Sequence, residues 1–223
     1  MMKAKYIITA GLILFISGCM TIPREQLVIK RFAIEPPVYH NPADTTLNLS
    51  LKVTLFDASE IYKGDRIIYQ SGAGEMNYYY YHRWIAPPEK MLYEIFTSNM
   101  LEWGLFHNGV FQHDIGIIPT HEVQGKLTNL YAQNIRGKYS AVFHYNLMVF
   151  AVSPDTFQKT LIFQKEYKIT RERKNDNVFS FIQETNIITA EWINQLKDDL
   201  LPLFIAEAEL YNPVSVFPPP EEY

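Results

Sequence analysis

The sequence predicts an α+β fold, a mostly antiparallel sheet with two main helices packed on one face. Three observations carry that reading. Strand-like runs alternate apolar and polar residues, most clearly at Leu47–Leu55 and Tyr139–Ala151. Two other segments repeat apolar residues at steps of three and four. The order of these patterns, strands, helix, strands, helix, belongs to segregated elements packed in layers.

Along the chain, Val28, Phe32 and Ile34 mark a first strand ended by Pro36-Pro37, which cannot donate to a ladder. From Leu47 to Leu55 every odd residue is aliphatic and every even one polar, so one face should press on a core. Arg66–Gln70 and Met76–His82 flank Ser71-Gly72-Ala73-Gly74-Glu75, which reads as a hairpin. Pro87-Pro88-Glu89 opens a helix whose stripe is Leu92, Ile95, Phe96, Met100 and Trp103, ending at Gly104. Four strand-like runs follow, at Gly109–Asp114, Thr120–Tyr131, Tyr139–Val152 and Phe157–Thr170. After the polar break Arg171–Asn177, a second helix is expected over 178–210, with stripe Ile188, Trp192, Leu196, Leu200 and Leu203, kinked or divided at Pro202. Residues 28–210 thus form one α+β domain, and the Pro-rich residues 211–223 an extended tail.

The 223 residues are 48% hydrophobic and 20% charged, with a formal charge of −4, which fits a folded domain and lacks the basic footprint of a nucleic-acid binder. One cysteine, Cys19, excludes an intramolecular disulfide framework. It follows a basic start containing Lys3 and Lys5 and a run, Tyr6–Ile16, that is apolar apart from Thr9. That run is too short to span a bilayer, which takes about 20 apolar residues, and reads as an export signal. Ile16-Ser17-Gly18-Cys19 resembles the bacterial lipobox, implying cleavage after residue 18 and covalent lipid on Cys19. Residues 19–27 are then the lipidated terminus and tether. One acyl chain holds a protein only marginally, whereas several make the attachment stable. Cleavage removes Lys3 and Lys5 and no acid, moving the charge from −4 to −6. Met20 stands where Asp would retain an enterobacterial lipoprotein in the inner membrane, which favours an outer-membrane location facing the periplasm.

No reactive constellation is visible. The six histidines include no metal-binding helix pair, no serine lies in Gly-x-Ser-x-Gly, and Gly72 and Gly74 lack the residues that complete a phosphate loop. Asp198-Asp199 read as a solvated helix surface. The expectation is a protein with no enzymatic activity, no metal and no cofactor other than the lipid on Cys19. Aromatic residues stand out instead, at 14% of the chain, and are densest at Tyr78-Tyr79-Tyr80-Tyr81-His82-Arg83-Trp84. On a regular strand, Tyr78 and Tyr80 would face one side and Tyr79 and Tyr81 the other. Ordinary packing beneath the helix explains such a run, and so does a strip that contacts a partner or lipid through Tyr78, Tyr79, Tyr80, Tyr81, Arg83 and Trp84.

The lipobox, Val53-Thr54-Leu55-Phe56, Tyr62-Lys63-Gly64-Asp65-Arg66-Ile67-Ile68-Tyr69, Tyr81-His82-Arg83-Trp84-Ile85-Ala86-Pro87-Pro88 and His121-Glu122-Val123-Gln124-Gly125-Lys126-Leu127 occur in the order found in the ABC-type transport auxiliary lipoproteins, which this chain resembles over about 28–210. The Pro-rich extension has no counterpart in that pattern. The resemblance implies a non-catalytic, lipid-anchored accessory to a system with an ABC permease, an ATPase and a periplasmic MCE protein that moves lipid or another hydrophobic molecule. It implies as partners the MCE protein, the ABC subunits and outer-membrane lipid, and a ring of identical subunits is one assembly that exposed strand edges allow. The alternative is a lipoprotein that plugs or assembles an outer-membrane channel of the lipopolysaccharide or secretion type.

Overall fold

Two fifteen-residue strands form the spine of the computed structural model, which describes residues 28–36, 42–72, 74–113 and 116–211. The lipobox, the tether through residue 27 and the tail from residue 212 lie outside the described residues. In chain order the strands are β1 (Lys30–Phe32), β2 (Leu51–Val53), β3 (Asp57–Ala58), β4 (Arg66–Ser71), β5 (Glu75–Trp84), β6 (Val110–Phe111), β7 (His121–Ile135), β8 (Lys138–Val152) and β9 (Lys159–Glu172). The helices are α1 (Pro88–Glu102) and α2 (Val178–Tyr211). Among the described residues all nine strands belong to one sheet.

One edge of β7 pairs antiparallel with β8 along its whole length, across a two-residue turn in which Arg136 and Gly137 both have positive φ. β9 continues that meander. The other edge of β7 is shared by three short parallel strands in succession: β2 at His121–Val123, β3 at Lys126–Leu127 and β4 at Tyr131–Asn134. β5 returns antiparallel beside β4, and β1 lies parallel to β5 at the sheet's end. The sheet is therefore mixed. Its antiparallel pairs join strands adjacent in the chain, and the parallel ones follow long connections such as that through α1.

The period-two runs bury the residues they mark. Leu49, Leu51 and Val53 are inaccessible, as are Ala141, Phe143, Tyr145, Leu147 and Val149 on β8, whereas Leu55, past the end of β2, is exposed. Both helices cover this same face. Phe56 contacts Tyr93 and Phe96 of α1 and Tyr145 of β8, and Trp192 of α2 packs on Phe143, Tyr145 and Phe96. The α1 stripe is buried at Leu92, Phe96, Met100 and Trp103 and half-buried at Ile95. On α2 the buried line runs Ile188, Trp192, Leu196, Leu200 and then Phe204, so that Phe204 takes the place assigned from the sequence to Leu203. α2 continues through Pro202 without a break, and it begins where Asn177 Oδ1 accepts the Ser180 amide at 2.7 Å. Among the described residues no helix is long and apolar enough to cross a membrane.

Candidate interaction surface

β5 carries the aromatic run, and its pairing with β4 is irregular. Ile68 stands opposite Tyr78, but the next partner of β5 is Arg83, opposite Arg66, so Tyr79 through His82 face the single residue Ile67. This bulge breaks the alternation expected of a regular strand. Tyr80 and Tyr81, which should point to opposite faces, are both exposed, and their rings meet edge to face at 4.9 Å.

The flanking residues divide between the two faces of the sheet. On the face away from the helices, Tyr78 lies under the guanidinium groups of Arg66, at 4.5 Å, and Arg83, at 5.4 Å. A groove of about 280 Å³ beside it is lined by Glu60, Ile61, Lys63, Met76 and Tyr78. On the helix face, half-buried Tyr79 stacks at 4.8 Å on Tyr69, and His82 stacks on Phe32 and meets the edge of Phe179. Burial raises the Tyr79 pKa. Burial and, secondarily, Lys30 lower that of His82, which favours the neutral ring.

Trp84 does not belong to the surface. It is 1% exposed and packs against Phe181 of α2. Its assignment to a contact strip is corrected for a physical reason: beyond the bulge β5 is again a regular strand held by β1, and Trp84 falls on the helix-covered face. Tyr78, Tyr80 and Tyr81 remain exposed, and Tyr79 and Arg83 are half-buried. Cys19, Ile16, Ser17 and Gly18 lie outside the described residues.

Sequence reasoning missed several charged groups of the fold. Arg173, read as part of a polar break, is buried, and its guanidinium donates to the carbonyls of Ser140, Asn177 and Gln133 and to Asp176, tying the β9–α2 connection to the β7–β8 end of the sheet. Asp199, read as solvated, accepts hydrogen bonds from Tyr167 at 2.8 Å and Lys165 at 2.7 Å. Buried His121 faces Glu207 at 3.3 Å, with Phe204 and Tyr211 around its ring. Glu122, beside it in the same motif, is buried, and Lys159 supplies the cation its carboxylate needs at 2.7 Å; strand-like alternation alone gave no sign of that burial.

No family model matches the chain, and no curated protein matches it. Solved structures do share its fold. A Xanthomonas campestris protein of the DUF330 family superposes with a TM-score of 0.60 at 17% identity, covering 75% of this chain and 94% of that one. A second, an uncharacterized protein, gives a TM-score of 0.57 at 10% identity, covering 78% of this chain and 99% of its own. At such low identities the superpositions show a common fold alone and leave function to the site.

Proposed function

We propose that the protein is a lipid-anchored envelope lipoprotein, non-catalytic, that acts as an accessory or scaffold of an ABC/MCE-type system transporting lipid or another hydrophobic molecule. Lipid on Cys19 holds it to the outer membrane, facing the periplasm, and the folded domain docks on the MCE protein. The observation that carries this reading is the spatial order of the motifs behind the family resemblance. The Tyr62–Tyr69, Tyr81–Pro88 and His121–Leu127 motifs contribute to β4, β5 and β7, which lie side by side in the sheet. The Val53–Phe56 motif starts at the end of β2, whose Val53 is the register partner of Val123. The exposed tyrosines of the bulge, apolar rings with polar tips, give the domain a contact surface and suit a binding role.

Crosslinking in intact cells, followed by mass spectrometry of captured proteins, tests the role. Recovery of MCE and ABC subunits is expected. Capture of an outer-membrane barrel with neither of them would favour the channel-assembly alternative and overturn the proposal. Labelled palmitate tests the anchor separately: incorporation should vanish in Cys19→Ala, and persistence of label would refute the lipobox reading.

A further inference from the structure

The described chain begins beside the tyrosine bulge. β1 runs parallel to β5 with Lys30 opposite His82, so moving back from Lys30 to Ile29 and Val28 moves back along β5 toward Tyr81 and Tyr80. Five apolar side chains are exposed at this one end: Val28 at 71%, Ile29, Tyr80 at 64%, Tyr81 and, from the first turn of α2, Phe179 at 48%. Lys30 extends over the Phe179 ring at 5.4 Å, Lys30 and Arg31 are both exposed, and Arg83 pairs with Arg31 in register, making this end locally basic on an acidic chain. Residues 19–27 can span at most about 30 Å when fully extended, so a lipid-bearing Cys19 keeps this end within that distance of the bilayer.

We propose that the end formed by Val28, Ile29, Tyr80, Tyr81 and Phe179 rests on the lipid surface that holds the anchor, with the rings at headgroup depth and Lys30 and Arg31 facing anionic headgroups. This rests on Cys19 being the lipidated residue. Tyrosine, with an apolar ring and a polar tip, suits the boundary between hydrocarbon and water, and basic side chains are drawn to an anionic leaflet. The surface contact fixes the domain's tilt, which a tether alone leaves free. It places the turn at Ser153–Gln158 far from the membrane, because that turn joins the ends of β8 and β9 next to His121, at the opposite end of β7 from β4 and β5.

The test uses the full lipidated chain purified from membranes and reconstituted in phosphatidylcholine–phosphatidylglycerol vesicles. Tyr80→Cys and Phe179→Cys each carry a thiol-reactive, environment-sensitive fluorophore, and Asp155→Cys serves as the distal reference. The unsubstituted protein should take up no fluorophore, because its only thiol is acylated; labelling there would refute the anchor reading independently. The Tyr80 and Phe179 probes should be quenched several-fold more by headgroup-depth spin-labelled lipid than the Asp155 probe, and should be protected from aqueous iodide. Lys30→Glu with Arg31→Glu should weaken that lipid quenching at least twofold. Equal iodide access at all three positions would overturn the proposal. Protection from iodide without quenching by lipid would also overturn it, and would assign the patch to a protein partner or a second copy of the chain.

Discussion

The Tyr145 side chain fills the space where a side chain at Gly125 would stand. A methyl group on Gly125 would fall on the Tyr145 hydroxyl, 2.7 Å from its Cζ and 2.8 Å from Phe56 Cδ1. The glycine lies mid-strand in β7, in the motif His121–Leu127, where it weakens the ladder slightly but lets the Tyr145 and Phe56 rings meet at 5.4 Å beneath α1 and α2. Gly125→Ala should therefore lower stability by about 1–3 kcal/mol through overpacking, read as an earlier midpoint in urea. The Tyr145 hydroxyl is buried with no hydrogen-bond partner among the described residues, and burial raises its pKa. Tyr145→Phe should leave stability unchanged or raise it, because it removes an unpaired polar group and keeps the ring. A loss on Tyr145→Phe comparable to that of Gly125→Ala would show that the hydroxyl is satisfied after all.

Glu122 and Lys159 set an acid limit on stability. Burial alone would raise the Glu122 pKa, but hydrogen bonds from Lys159 and Gln124 outweigh it and hold the carboxyl below its usual 4.5. The folded chain thus keeps this group ionised where the unfolded chain begins to protonate it. Its contribution to stability is present above pH 4.5 and lost as pH falls through the lower folded value. Lys159→Met should cost about 1–3 kcal/mol at neutral pH by leaving a buried carboxylate without its cation, less than a fully buried pair would lose because Lys159 is half in solvent. The difference between the two proteins should narrow as the solution is acidified below pH 4.5, and denaturant titrations on either side of that value check it.

The elements whose local pattern matches their environment were legible in the sequence. Leu49, Leu51 and Val53 alternate with polar neighbours because one face of β2 meets the core, and Leu92, Phe96 and Met100 recur at helical steps because one side of α1 does. Strand direction was not legible. Alternation at His121–Val123 is the same whether the neighbour runs parallel, as β2 does, or antiparallel, as β8 does. The bulge at Tyr79–His82 was hidden for a related reason, since it is defined by the register of β4, and it decided which aromatics are exposed: Tyr80 and Tyr81 together, with Trp84 removed to the core. The partners of Arg173, read only as part of a polar break, and of Asp199, read as solvated, were hidden because a charged residue in a polar run carries no local sign of distant groups such as the Ser140 carbonyl or Tyr167.

His121 should make the seam between β7 and the end of α2 sensitive to mild acid. Burial lowers its pKa below 6.5, and Glu207 opposes that shift; the ring also faces Thr120, Phe204 and Tyr211, whose hydroxyl donates to the Val152 carbonyl. The folded state binds a proton here less readily than the unfolded chain, so stability should decline as pH falls below 6.5. Glu207→Gln removes the opposing anion and lowers the folded pKa further, so it should enlarge the loss between about pH 8 and pH 5, the range in which an imidazole titrates. Thermal midpoints of both proteins across that range measure it. A smaller acid loss in Glu207→Gln would mean that protonated His121 is not the cause.

Within the aromatic run, Trp84 and Tyr80 should separate packing from contact. Trp84 is enclosed between β1 and Phe181, so Trp84→Ala should cost about 3–5 kcal/mol, the range for emptying a large buried ring site. Tyr80 projects from the bulge and Tyr81 leans on it, so Tyr80→Ser should shift stability by no more than about 0.5 kcal/mol. The double change Tyr80→Ser/Tyr81→Ser additionally loses only an exposed edge-to-face pair, worth about 0.5–1.5 kcal/mol at most. If the exposed pair rests on lipid, that double variant should keep its thermal midpoint within a few degrees while losing most of the lipid quenching read from the Phe179 probe. If it instead unfolds as readily as Trp84→Ala, the two rings are part of the packing of the bulge, and the contact surface must be sought on the Arg66–Tyr78–Arg83 side of β5.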